Sequence, residues 1–205
     1  MSAPSAAPAE EAAGAERLSL AGESYSLEPG TYVFTEFGVP LQITVPEGWE
    51  YNPGGWFLST PETFVKLATA ATVPVDACAW STPLSEVGPS VADLAGAMAA
   101  TTSTTTTEPT EIEIDGYSGL QFDVAVEEGV VIEDCRDSHI CIHSEYRGDC
   151  TRFYHEGVGE RETYRIVDLD GERALLAVGQ WDGQADADEW QEAQAVFHSI
   201  RFAAE

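Results

Sequence analysis

The chain has 205 residues, 36 of them acidic against 9 basic, which gives a formal charge of -27. That balance repels phosphate backbones and anionic lipid surfaces, so no nucleic acid is expected as a partner. The length suits one well-buried core with no second break in composition, and no uninterrupted apolar stretch approaches the ~20 residues of a membrane-spanning helix, so no membrane span is expected in the visible chain.

Residues 1–24 are rich in Ala, Pro, Ser and Glu. A stretch of that composition cannot bury enough surface to offset its chain entropy and reads as a disordered tether, leaving a single domain over 25–205. Met1 to Ala15 carries no basic start followed by an apolar run. The expectation is an extracytoplasmic protein whose export signal is absent from this chain, with a cytoplasmic protein as the alternative. Two short strands, Tyr32 to Thr35 and Leu41 to Val45, are separated by Gly38-Val39-Pro40, and the cluster Asn52-Pro53-Gly54-Gly55 turns the chain into further strands at WFLST and FVKLATAATVPV. At Ser90 the period changes: Ser90 with Asp93 three residues on forms a capping pattern, and Val91, Leu94 and Met98 supply one apolar stripe, so a short helix is predicted. The threonine run Thr101 to Thr107 reads as a loop.

Glu111 to Val126 shows the clearest alternation in the chain, with Ile112, Ile114, Leu120, Phe122, Val124 and Val126 at even positions. It reads as a central hairpin turning at Asp115-Gly116 with those six residues on one buried face. Glu127 to Gly159 breaks the pattern and reads as an elaborated loop. RETYRIVDLDGERALLAV gives two strands joined at Asp170-Gly171, Asp186 or Asp188 caps a final helix through His198, and Ile200-Arg201-Phe202 closes on an edge strand. The order predicts an α+β fold, a mostly antiparallel sheet with helices packed against it.

The segment 135–155 concentrates the candidate chemistry. Cys135, His139, Cys141, His143 and Cys150 are ligand types suited to zinc, and in an extended chain 139, 141 and 143 share a face while Ile140 and Ile142 turn to the core. The spacing matches no common zinc signature, so disulfides among Cys78, Cys135, Cys141 and Cys150 stand beside the metal alternative and free or mixed thiols. Arg161, Arg165 and Arg173 stand out in so acidic a chain as a clamp for an anionic ligand or as partners of local carboxylates. Trp49, Trp56 and Trp80 suit either the lining of a ligand cleft or core packing. Gly116-Tyr117-Ser118-Gly119-Leu120 falls one glycine short of a nucleophile elbow and lies in a hairpin, where the elbow needs a strand-to-helix turn. Asp168, Asp170 and Glu172 mimic part of a calcium loop without its twelve-residue pattern.

The stretches TYVFTEFGVPLQITVPEGWE, Cys78-Ala79-Trp80, VGPSVADLAGAMAA, DGYSGLQFDV, the Asp170-Gly171-Glu172-Arg173 turn and EAQAVFHSIRF together resemble an uncharacterised domain of secreted proteins and lipoproteins in actinobacteria. The opening strand with Pro-x-Gly-Trp and the closing helix with Ser-Ile-x-Phe are similar to the PsbP-like α/β sandwich. The resemblance implies that fold and no activity or catalytic residue. The family pattern has one cysteine at Cys78 and one near Cys135, and Cys141 and Cys150 are additions in this chain. The pairing expected is Cys78 with Cys135, tying the strand before the helix to the segment after the hairpin, and Cys141 with Cys150, closing a local loop.

No serine or cysteine has a recognisable base partner and no glycine-rich phosphate loop follows a strand. The expectation is therefore a non-catalytic binding or interaction domain without a cofactor, its partner a protein or envelope component attracted by an acidic surface and so cationic. The 127–159 loop is the expected contact surface. A metal-dependent enzyme or metal-binding protein using 135–155 is the alternative.

Overall fold

In the computed structural model, which describes residues 15–19, 21–145, 150, 154–155, 161–181 and 185–202, Asp115-Gly116 forms a two-residue turn with φ of 51° and 90°. The register across it pairs Ile114 with Tyr117 and Ile112 with Gly119. Side chains alternate along a strand, so a two-residue turn makes even positions of one arm share a face with odd positions of the other. The expected single face for all six apolar residues is corrected by this parity. Ile114 packs with Tyr117 against one core, while Leu120, Phe122, Val124 and Val126 pack into another on the opposite side.

The strands in chain order are β1 (Glu16–Arg17), β2 (Tyr25–Ser26), β3 (Gly30–Phe34), β4 (Leu41–Val45), β5 (Glu50–Asn52), β6 (Phe57–Ser59), β7 (Thr63–Ala68), β8 (Thr72–Val73) and β9 (Ser85–Glu86). After helix α1 (Val91–Ala99) come β10 (Thr104–Thr106), β11 (Thr110–Ile114), β12 (Tyr117–Val126), β13 (Ile140–Cys141), β14 (Tyr154–His155), β15 (Arg161–Leu169) and β16 (Glu172–Gln180). Helix α2 (Ala187–His198) and β17 (Arg201–Phe202) end the described chain. The main sheet runs β10-β12-β15-β16-β7-β6-β5-β2, with β11 also on β12, and a second runs β1-β3-β4-β17. Apart from the parallel β1–β3 pair, the pairings between these strands are antiparallel, so the expected α+β class is the observed one.

The β11–β12 hairpin lies toward one edge of the main sheet, and β15, β16 and β7 hold its middle. Ala174, Leu175, Leu176, Ala177 and Val178 of β16 are all buried, because both faces of the sheet are covered. On one face α2 and the smaller sheet enclose Phe34, Leu41, Ile43, Trp49, Leu67, Leu176 and Phe197. On the other, α1 and the cysteine segment cover Phe122, Tyr164, Ile166 and Leu175. Both helices begin with reciprocal caps: Ser90 and Asp93 exchange side-chain-to-backbone hydrogen bonds, and so do Asp186 and Glu189.

Two further corrections concern local structure. Strand β1 and the buried Leu18 fall inside the stretch 1–24 read as a tether, because Glu16 and Arg17 pair with Tyr32 and Val33; residues 1–14 lie outside the described residues. Strand β10 falls inside the threonine run read as a loop. β-branched side chains suit a pleated surface even without an apolar partner, and Thr104 to Thr106 pair with Val126 to Val124.

Candidate functional site

The chain from 132 to 144 folds back over the sheet. Arg136 N–H donates to Cys78 O at 2.9 Å, Cys141 N–H to Ala77 O at 2.9 Å and Ser144 N–H to Thr72 O at 2.9 Å, so the segment is stitched along residues 72–78. Asp76 anchors the other side of this seam, its Oδ1 accepting from Cys78 N and Ala79 N at 2.8 Å and from the Ser103 hydroxyl at 2.9 Å. Disulfides join Cys78 to Cys135, with Cα atoms 4.6 Å apart, and Cys141 to Cys150, 5.5 Å apart. All four sulfurs are bridged, so with both disulfides formed the set Cys135, His139, Cys141, His143 and Cys150 offers no thiolate. Its histidines also part: His143 is fully buried with its ring edge-on to Tyr164, while His139 lies tilted beside Trp80 with centroids 5.6 Å apart. Ile140 to Ser144 are all buried, so this part of the 127–159 segment is a core component, while 127–129, 131, 133–134 and 136–138 are exposed. Residues 146–149, 151–153 and 156–160 lie outside the described residues.

The three arginines go to three places. Exposed Arg161 pairs with Asp123 at 3.2 Å. Arg173 sits under the start of α1, donating to the carbonyls of Gly88, Ser90 (2.9 Å) and Ala70 (2.9 Å). Burial lowers its pKa against the opposing pull of Asp93. Arg173→Gln is expected to cost about 2 to 3 kcal/mol, since charge-assisted bonds to three carbonyls on two segments are lost, and urea denaturation checks it. Arg165, 9% exposed, donates from Nε to Gln121 Oε1 at 2.8 Å and from Nη1 to Phe197 O at 3.3 Å, with its guanidinium 4.1 Å from the Phe197 ring centre. Burial, aided by the neighbouring charge of Arg201, pushes its pKa down to about 10. A shared anion clamp of Arg161, Arg165 and Arg173 is thereby corrected: Arg173 projects from the α1 side of the sheet, Arg165 from the α2 side.

The tryptophans are dispersed too, which corrects the cleft reading. Trp49 is fully buried and donates from Nε1 to Glu192 Oε1 at 3.0 Å. Trp56 packs edge-on to Phe34 at 5.3 Å. Trp80 lies across the molecule with Leu84 and the Cys141–Cys150 bridge, under the Arg136 guanidinium at 4.2 Å. Ser118 stands in the exposed start of β12, with no strand-to-helix turn, and Gly119 is required by close approach: a Cβ there would meet Ile166 O at 2.4 Å. The calcium-like triplet is a hairpin, with Asp168 Oδ1 accepting from Gly171 N at 2.6 Å and Glu172 Oε2 from Gly38 N at 3.1 Å.

Two concavities flank the β11–β12 hairpin. On the α1 side, a groove of about 690 Å³ lies between the first turn of α1 and the hairpin; Glu111, Glu113 and Asp168 give it negative charge and Val91 and Leu120 give it apolar wall. The capping box already occupies Ser90 and Asp93, so the helix start offers no ready anion site. On the α2 side, a pocket of about 360 Å³ is bounded by Ile112, Ile114, Ile200, Arg165, Arg201 and His198, with Glu113 and Asp115 at the same wall. Arg201 and His198 were read in the sequence only as parts of the closing strand and helix; a lone arginine three residues past the end of α2 is the signal that bears on the pocket, since cations favour the C-terminal end of a helix.

No family model matches this chain, and no curated protein matches it. Among solved structures it is similar to the solution structure of cyanobacterial PsbP from Synechocystis, with 12% identity and a TM-score of 0.39 over 85% of this chain and 92% of that one. Among the described residues no helix is long and apolar enough to cross a membrane.

Proposed function

We propose that the chain is a non-catalytic binding domain working outside the cytoplasm, with the groove between α1 and the β11–β12 hairpin as its contact site and a cationic, partly apolar segment of a protein or envelope component as its partner. The observation that carries the reading is the groove's lining, three carboxylates set around an apolar floor in a concavity of ligand-binding size. Such a lining attracts a lysine or arginine side chain and shelters the aliphatic part beside it. The place outside the cytoplasm is supported by the two disulfides, which persist in oxidising compartments, and the sequence resemblance to secreted and lipoprotein domains of actinobacteria points the same way.

The probe is a short Lys/Leu peptide amide, titrated calorimetrically at low and high salt against wild type, E111Q/D168N, and a control, E23Q/E47Q, that removes the same charge from exposed sites elsewhere. The expected result is roughly tenfold weaker binding for the groove variant, near-native binding for the control, and loss of affinity with salt in wild type. Equal weakening in both variants would assign the attraction to net charge and overturn the groove. Turnover in a hydrolase screen that vanishes in His139→Ala would overturn the binding-domain reading itself.

A further inference from the structure

The pocket on the α2 side holds an electrostatic imbalance that the fold does not explain. In a chain with 36 acidic residues, Arg165 is 9% exposed and has no carboxylate partner among the described residues; its acceptors are the neutral Gln121 Oε1 and Phe197 O. Arg201 donates to the carbonyls of His198 (2.9 Å) and Ile200 (2.6 Å) and likewise has no carboxylate partner among the described residues. Both guanidiniums thus cap the C-terminal end of α2, which supplies roughly half a negative charge against two full positive ones. A guanidinium carries five N–H donors, and Arg165, which lines the pocket, uses two of them; its Nη2 amino group has no acceptor among the described residues. Of the two carboxylates at the same wall, Asp115 accepts from Phe202 N at 2.9 Å, and neither Asp115 nor Glu113 forms an ion pair with either arginine.

We propose that this pocket is a binding site for a single carboxylate group carried on a small aliphatic body, held by the spare donors of Arg165 and Arg201 with the body against Ile112, Ile114 and Ile200. A planar guanidinium presents paired donors that match the two oxygens of a carboxylate. A monoanion suits the site better than a phosphate dianion, because Asp115 at the same wall repels the second charge. The volume of about 360 Å³ takes a molecule of a few heavy atoms and excludes a folded partner. This site lies across the hairpin from the acidic groove and stands independently of it.

The test titrates the full 15N-labelled chain with sodium isobutyrate at constant ionic strength, reading the Nε–H signals of Arg165 and Arg201 and the backbone signals of Ile200 to Phe202, with sodium phosphate and sodium chloride as parallel arms. The expected result is a saturable shift with isobutyrate, at least tenfold weaker in R201Q, whose exposed position leaves the core untouched. R165Q, kept if its circular dichroism is native, is expected to abolish the shift, and E111Q/D168N to leave it unchanged. Unaltered affinity in R201Q overturns the site. Chloride reproducing the shift overturns it as a carboxylate receptor, and phosphate binding as tightly as isobutyrate overturns the preference for a monoanion.

Discussion

Replacing Cys78 and Cys135 together by alanine is expected to cost about 4 kcal/mol, against roughly 3 kcal/mol for removing Cys141 and Cys150. The difference follows from loop length. The first bridge joins residues 57 apart in sequence and the second residues 9 apart, and the entropy a cross-link removes from the unfolded chain grows with the logarithm of the closed loop. For a domain of this size the larger loss lowers the melting temperature on the order of 10 °C. The first bridge also encloses α1, β10, β11 and β12, so its removal frees one complete edge of the main sheet with the helix that covers it. Alanine is the right replacement because Cys135 is buried and a serine hydroxyl there would add a desolvation cost. Thermal and urea denaturation of both double variants measure the two losses; a Cys78/Cys135 variant more stable than the Cys141/Cys150 one would contradict the entropic account.

What the sequence disclosed and what it hid divide along physical lines. Turns and caps are local, so Asp115-Gly116, Asp170-Gly171 and Ser90 with Asp93 were legible, and the cap of α2 was narrowed to Asp186 or Asp188, of which Asp186 caps it. The position of a strand within the sheet is not local. Alternation marks a strand buried on one face, and the most alternating stretch therefore drew attention to a hairpin near the sheet's edge. The continuous run Ala174 to Val178, covered on both faces, marks the middle. Parity across the two-residue turn was knowable from turn length alone, and counting it sends Ile112 and Leu120 to opposite faces. The grooves were hidden for a different reason. Arg165, Arg201 and His198 come from three elements that only the packing of α2 brings to the hairpin, and Asp168 reaches Glu111 through the pairing of β12 with β15. Residue types stood out in sequence; their sharing of a wall needed the topology.

Trp49→Ala is expected to destabilise the protein by about 3 to 5 kcal/mol while leaving both concavities able to bind, and this pairing of outcomes separates a core tryptophan from a ligand-lining one. Trp49 is fully buried among Phe34, Leu41, Ile43 and Phe197, the cluster that joins the smaller sheet and α2 to the main sheet. Its backbone carbonyl accepts from Leu27 N at 2.8 Å and its indole N–H donates to Glu192 of α2 at 3.0 Å, so one residue ties the N-terminal strands to the last helix. Truncation removes the transfer free energy of the ring and leaves a cavity that rigid neighbours fill only in part. Glu192 loses a hydrogen bond but keeps access to water, so its share of the cost is small. Trp49→Phe keeps much of the volume and is expected to lose only about half as much. Urea denaturation followed by circular dichroism gives the stability change, and the isobutyrate and Lys/Leu peptide titrations on folded protein give the binding. If Trp49→Ala were as stable as wild type but failed to bind either probe, the tryptophan would belong to a ligand cleft and the assignment of the core would be wrong.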